Sequence, residues 1–146
     1  MIVINNKTQS KIDITHTRKF ILSLQKTLFM EKWHIEITFC DKALSHKINK
    51  EFLLHDYPTD IITFDISDPL SKGCDIYICT EVALENAIEY QVSQENELKR
   101  LIIHGLLHLQ GYNDLNPNEK EKMFKKQESL LKALELKESF LKILVD

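Results

Sequence analysis

Breaks are scarce in this chain, and that scarcity limits the folds open to it. Three glycines and three prolines serve 146 residues, so long stretches run without a residue that ends a helix or forces a turn. Between the breaks, hydrophobic periodicity decides the type of each element. An apolar run over residues 1–5 predicts a short strand. Ile14, Phe20, Ile21, Leu24 and Leu28 fall at helical spacing and predict a helix over about 13–30, whereas the alternation Ile35, Ile37, Phe39 predicts a strand over 33–40. Asp41 suits the cap of a helix through Leu44, Ile48 and Phe52. A loop over 55–60 precedes a β-rich strand over 61–66, and Asp68-Pro69 with Gly73 marks a turn before a strand over 75–79.

The second half reads as helical. Thr80 begins a helix through Tyr90, Ser93 begins one through Gln110, and Gly111 stops it. Asn116-Pro117-Asn118-Glu119 combines a capping Asn, Pro at the first helical position and a first-turn Glu, and it opens a helix to about Leu136. The order β-α-β-α-β-β-α-α-α predicts an α+β fold: a small mixed sheet of about four strands packed with about five helices. A length of 146 residues suits one domain over 1–146.

Composition narrows the function. A net charge of −3 with only Arg18 and Arg100 as arginines argues against holding nucleic acid through a general electrostatic field, though not against a local basic groove. No apolar run approaches the ~20 residues of a membrane span, and residues 1–6 lack the layout of a secretory signal. Cys40, Cys74 and Cys79 are odd in number and form no CxxC, so they read as buried apolar groups in a reducing cytoplasm.

The chemistry concentrates in His104-Gly-Leu-Leu-His108-Leu-Gln-Gly111-Tyr-Asn-Asp114. Histidines four apart lie on one helical face a turn apart and can share a metal ion. Gly111 can take the left-handed conformation, turning the chain so that Asp114 reaches the same ion. Two imidazoles and a carboxylate suit one zinc and leave a fourth position open, as catalytic rather than structural sites do; nickel or cobalt also fits. Gly105 inside a helix costs ~0.5–1 kcal/mol against alanine, which implies that a neighbouring element approaches the backbone there. The competing reading, two satisfied histidines on an amphipathic helix, weakens once Gly111 and Asp114 are counted with them.

This eleven-residue stretch resembles the signature of the YbeY family, metal-dependent endoribonucleases of bacterial rRNA maturation and ribosome quality control. Asn49, Phe52, the run Asp56-Tyr-Pro-Thr-Asp60-Ile-Ile-Thr-Phe64, Asp75-Ile76, and Glu97, Leu98 and Leu101 before His104 extend the likeness over most of the chain. The resemblance implies a zinc-dependent endoribonuclease that hydrolyses phosphodiester bonds in single-stranded rRNA precursors in the cytoplasm. Its partners would be RNA and ribosomal or assembly proteins rather than DNA or a membrane. It places Thr59 and Asp60 in the substrate cleft as candidate catalytic residues, beside the metal ligands His104, His108 and Asp114. A turn feeding a strand explains Thr59 and Asp60 equally well.

Three positions depart from the family pattern. Asp114 stands where the family carries histidine (with Asn113 where it carries aspartate), Leu53 where it carries an arginine, and Cys74 where it carries glycine. With one residue inserted, Leu115 would take the third-ligand position. Two other functions remain in view. A zincin-like peptidase shares the ligand spacing but needs glutamate after the first histidine, where this chain has Gly105. A non-catalytic ribosome-assembly factor with a structural or decayed site is the other.

Overall fold

In the computed structural model, which describes residues 1–145, four strands and five helices follow the expected order. They are β1 (Ile2–Asn6), α1 (Ile14–Thr27), β2 (His34–Cys40), α2 (Lys42–Leu53), β3 (Ile61–Asp65), β4 (Gly73–Cys79), α3 (Thr80–Tyr90), α4 (Gln94–Leu109) and α5 (Pro117–Glu138). The fold is α+β. The sheet order is β1-β2-β4-β3, with β1, β2 and β4 parallel and β3 antiparallel on β4.

Register explains which face is dry. Ile2 and Ile4, Ile35, Ile37 and Phe39, and Cys74, Ile76 and Ile78 point to one side, where Phe20, Ile21 and Leu24 of α1 and Leu98, Ile102 and Leu106 of α4 complete the core. The side chains of the opposite face are more polar: Glu36 pairs across to Asp75, and Thr38 to Tyr77. Burial raises the pKa of Asp75 and the facing Glu36 raises it further, while Tyr77 offsets part of the shift by hydrogen bonding. The three cysteines are buried and free, and burial pushes the thiols of Cys40 and Cys74 up to about 12.

Helix ends follow the local chemistry. The side chains of Asp13, Asp41, Ser93 and Asn116 each accept a backbone N–H of the first turn of their helix. Beyond α4, Gly111 takes φ +104°, its N–H bonds the His108 carbonyl at 3.1 Å, and Tyr112 N–H bonds Leu107 at 3.2 Å. Those two bonds form a Schellman cap, with Tyr112 packed against the core.

The segment after α5 is tied down. Ile143 and Leu144 donate their N–H groups to Glu95 at 2.8 and 2.9 Å, and Ile12 bridges Leu144. Beside them Lys99, 1% exposed, pairs with Glu135 at 2.8 Å and Glu95 at 3.7 Å. No helix among the described residues is long and apolar enough to cross a membrane.

Candidate metal centre

The two histidines arise where α4 leaves the core. Leu106 and Leu107 are fully buried, while His104 is half-buried and His108 is exposed. Gly105 sits against β3: a Cβ there would lie 3.1 Å from Ile61 Cδ1 and 3.1 Å from Thr63 Cγ2. This is the close approach that a glycine inside a helix implied. The helix rests on the strand, and the edge of that contact opens into a cleft of about 140 Å³ lined by His104, His108, Asp114, Thr63 and Met123. Asp114 reaches it because the cap at Gly111 reverses the chain. The structure therefore brings all three expected ligands to one cleft, although among the described residues no three His, Cys, Asp or Glu side chains converge into a closed metal-binding cluster.

His104 is held in a defined tautomer. Gln127 of α5 donates its Nε2 to Glu128 Oε2 at 3.1 Å, which turns its Oε1 toward His104 Nδ1 at 2.7 Å. An amide oxygen only accepts, so Nδ1 carries a proton, and in the neutral imidazole Nε2 keeps the lone pair. A metal-ligating histidine is commonly fixed this way by an acceptor behind it. The donor set and the supported lone pair fit a zinc-type cation.

The support continues away from the cleft. Arg100 grips Glu128 with Nε at 2.9 Å and Nη2 at 3.0 Å, and reaches Glu97 with Nη1 at 3.0 Å. Burial raises the Glu97 pKa against the pull of Arg100, whereas the hydrogen bonds from Arg100 hold Glu128 below the usual carboxylate range. This network lines a second cavity of about 480 Å³ that shares His104 and Ile61 with the first.

Thr59 and Asp60 part company. Thr59 exchanges two hydrogen bonds with Ser45, its N–H donating at 3.0 Å and its carbonyl accepting at 2.7 Å. It borders neither cavity. Asp60 lines the larger cavity and accepts Asn86 Nδ2 at 3.0 Å. Leu53 is the last residue of α2 and lines neither cavity. His46 pairs with Asp56 at 2.6 Å and His55 stacks on Tyr57, so both are spent on the loop after α2. On α5, Lys122 pairs with Glu119 and Lys125 with Glu121, as a solvated face would.

Sequence reading missed Gln127, the Glu97–Arg100–Glu128 network, and the cavity-lining Tyr90 and Phe124. A glutamine on a helix rich in Lys and Glu carries no local signal. Its role arises only from the packing of α5 on α4.

A family described as Endoribonuclease YbeY matches residues 3–135. The protein called Endoribonuclease YbeY in Chlorobium luteolum is 33% identical over 131 residues, covering 90% of this chain and 96% of that one. Its namesake in Chloroherpeton thalassium is 35% identical over 133 residues, covering 91% and 94%. The solution structure of TM1509 from Thermotoga maritima superposes with a TM-score of 0.68 at 26% identity, covering 94% of this chain and 91% of that one.

Proposed function

The chain belongs to the YbeY endoribonuclease family, and from that premise we propose that it is a metal-dependent endoribonuclease. Its substrate would be single-stranded rRNA precursor, and its place rRNA maturation and ribosome quality control. One observation carries the metal part of the reading. His104, with its Nδ1 held by Gln127, lines the same cleft as His108 and Asp114.

His104, His108 and Asp114 would hold one zinc ion, with nickel or cobalt as substitutes. A bound divalent cation there would supply Lewis-acid polarisation of a phosphate and a more acidic water. The protein's own contribution is positioning. Gln127 fixes the imidazole of His104, the Schellman cap sets the path of Asp114, and the Glu128–Arg100–Glu97 network holds Gln127 in turn. Asp60, the one of the two candidate catalytic residues that borders a cavity, lies on the same side of His104 as that network.

A glutamate base after the first histidine is absent, and one there would crowd β3, since a Cβ at position 105 already meets Ile61 and Thr63 at 3.1 Å. That disfavours a zincin-like peptidase. The non-catalytic assembly factor draws support from a different observation, that the three ligands share the cleft without closing on a common point.

Metal per chain, measured by elemental analysis on native protein and on Asp114→Ala, tests the site. Near-stoichiometric zinc that falls sharply in the variant supports it. Single-stranded rRNA fragments cut by native protein and left intact by His108→Ala support the nuclease. Chelator-free native protein without metal or cleavage moves the reading to the assembly factor.

A further inference from the structure

The larger cavity is chemically unlike the cleft it adjoins. Asp60, Glu97 and Glu128 set three carboxyl groups on its wall against the single guanidinium of Arg100. Arg100 is already engaged, with its Nε, Nη1 and Nη2 bonded to Glu128 and Glu97. Among the described residues no lysine lines it. Such a wall repels phosphate and favours a ligand that presents hydrogen-bond donors. At Asp60 the capacity to accept is incompletely used. Asn86 donates to Oδ2 at 3.0 Å, the Thr59 hydroxyl comes no nearer than 3.4 Å to Oδ1, and no Lys, Arg or His pairs with it among the described residues.

Two aromatic rings border the same cavity and remain open to solvent. Tyr90, at the end of α3, is 62% exposed, and Phe124, on α5, is 58% exposed. Neither ring is needed for the core, and both come from elements that flank His104. Exposed aromatics beside a cleavage centre are the usual means of holding an unstacked base of a single strand.

We propose that this cavity is a nucleobase subsite adjoining the scissile phosphate. It takes a base whose Watson–Crick edge offers an amino donor — cytosine, adenine or guanine — and disfavours uracil. Tyr90 and Phe124 supply the stacking surface, and Asp60 accepts the amino group. Uracil offers Asp60 only its N3–H, flanked by O2 and O4, two acceptors turned toward a wall already rich in acceptors. The assignment rests on the ribonuclease reading for the phosphate but not for the base.

The test uses the full chain with its metal, on oligouridylates carrying one cytidine, adenosine or guanosine at a known position. Cleavage is expected at a fixed offset from the inserted base, about tenfold above all-uridine RNA. Tyr90→Ala and Phe124→Ala, both exposed changes, should each remove most of that preference. Asp60→Asn adds a donor and should raise cleavage of all-uridine RNA relative to the cytidine substrate.

A binding arm needs no catalysis. Cytidine should shift the NMR signals of the Tyr90 and Phe124 rings in His108→Ala more than uridine does. Cleavage without base preference overturns the subsite and leaves the nuclease standing. Absence of cleavage, with cytidine still favoured over uridine at the rings, overturns the nuclease and leaves the subsite standing. Nucleosides that leave both rings unmoved, or move them equally, overturn the subsite.

Discussion

Replacing Gln127 separates what this side chain does for the metal from what it does for the fold. Gln127 is 6% exposed and makes two bonds, accepting from His104 Nδ1 at 2.7 Å and donating to Glu128 Oε2 at 3.1 Å. Gln127→Leu keeps the volume and removes both. His104 then loses the acceptor that fixes its tautomer and ring orientation, and loss of such a partner typically weakens metal binding about 10–100-fold, or ~1.4–2.7 kcal/mol. The half-buried Nδ1–H is left without its acceptor at a cost of ~1–3 kcal/mol in the metal-free protein. Glu128 loses one donor but keeps both from Arg100. Gln127→Glu behaves differently. A carboxylate still accepts from Nδ1, so metal affinity should stay within a few-fold of native. It can no longer donate to Glu128 and places a second negative charge beside it, so stability should fall. Competition with a chromophoric chelator reads zinc affinity, and urea unfolding of metal-free protein reads stability. Zinc affinity unchanged in Gln127→Leu would refute the reasoning, as would equal losses of affinity in the two variants.

Gly111→Ala forces a side chain into φ +104°, with nothing within 4 Å of the new Cβ to compensate. A loss of ~1 kcal/mol in urea unfolding is expected, together with weaker zinc binding as Asp114 is displaced. For Asp75, the folded-state pKa is raised by burial and by Glu36. The native chain therefore has its full share of stability below the unfolded pKa and loses it as pH rises through the folded pKa. Asp75→Asn should raise Tm at neutral pH, with the gain vanishing below about pH 4; a gain that persists in acid contradicts this. Glu95→Ala strips Ile143 and Leu144 of their acceptor and leaves the buried Lys99 with Glu135 alone, which should cost ~3 kcal/mol. Lys99→Met removes the buried cation instead of orphaning it and should cost much less, as paired denaturation curves can show.

What the sequence disclosed was local, and what it withheld was made by packing. Caps at Asp41, Ser93 and Asn116, the stop at Gly111 and the alternation in β2 each depend on a few neighbouring residues, so their signals are complete in the string. That His104, His108 and Asp114 border one cleft was legible for the same reason: two of them lie one turn apart and the third follows a single turn. The strand order could not be read, because placing β4 between β2 and β3 is decided by residues far apart in sequence. Thr59 and Asp60 are adjacent, yet one is spent on Ser45 and the other faces a cavity. That split depends on α2 packing over the loop before β3. Gln127 lies 23 residues beyond His104 and on another helix. Only the contact of α4 with α5 makes it an acceptor for that histidine.

The contact of Gly105 with Ile61 and Thr63 bears on motion. With 3.1 Å between a would-be Cβ and either side chain, α4 and β3 pack closely at this contact, which leaves little room for one to slide on the other. One wall of the cleft that His104 and His108 border is thereby closely packed. The opposite lip is made by Asp114 in the connection after Gly111 and by Met123 of α5. Any widening needed to admit a polymer falls to that connection, since α5 is bonded to α4 through Gln127–His104 and Glu128–Arg100. Amide hydrogen exchange would then be slow at Ile103 and Leu106 and fast at Asn113 and Leu115, with the site opening like a jaw whose lower half is fixed in the sheet.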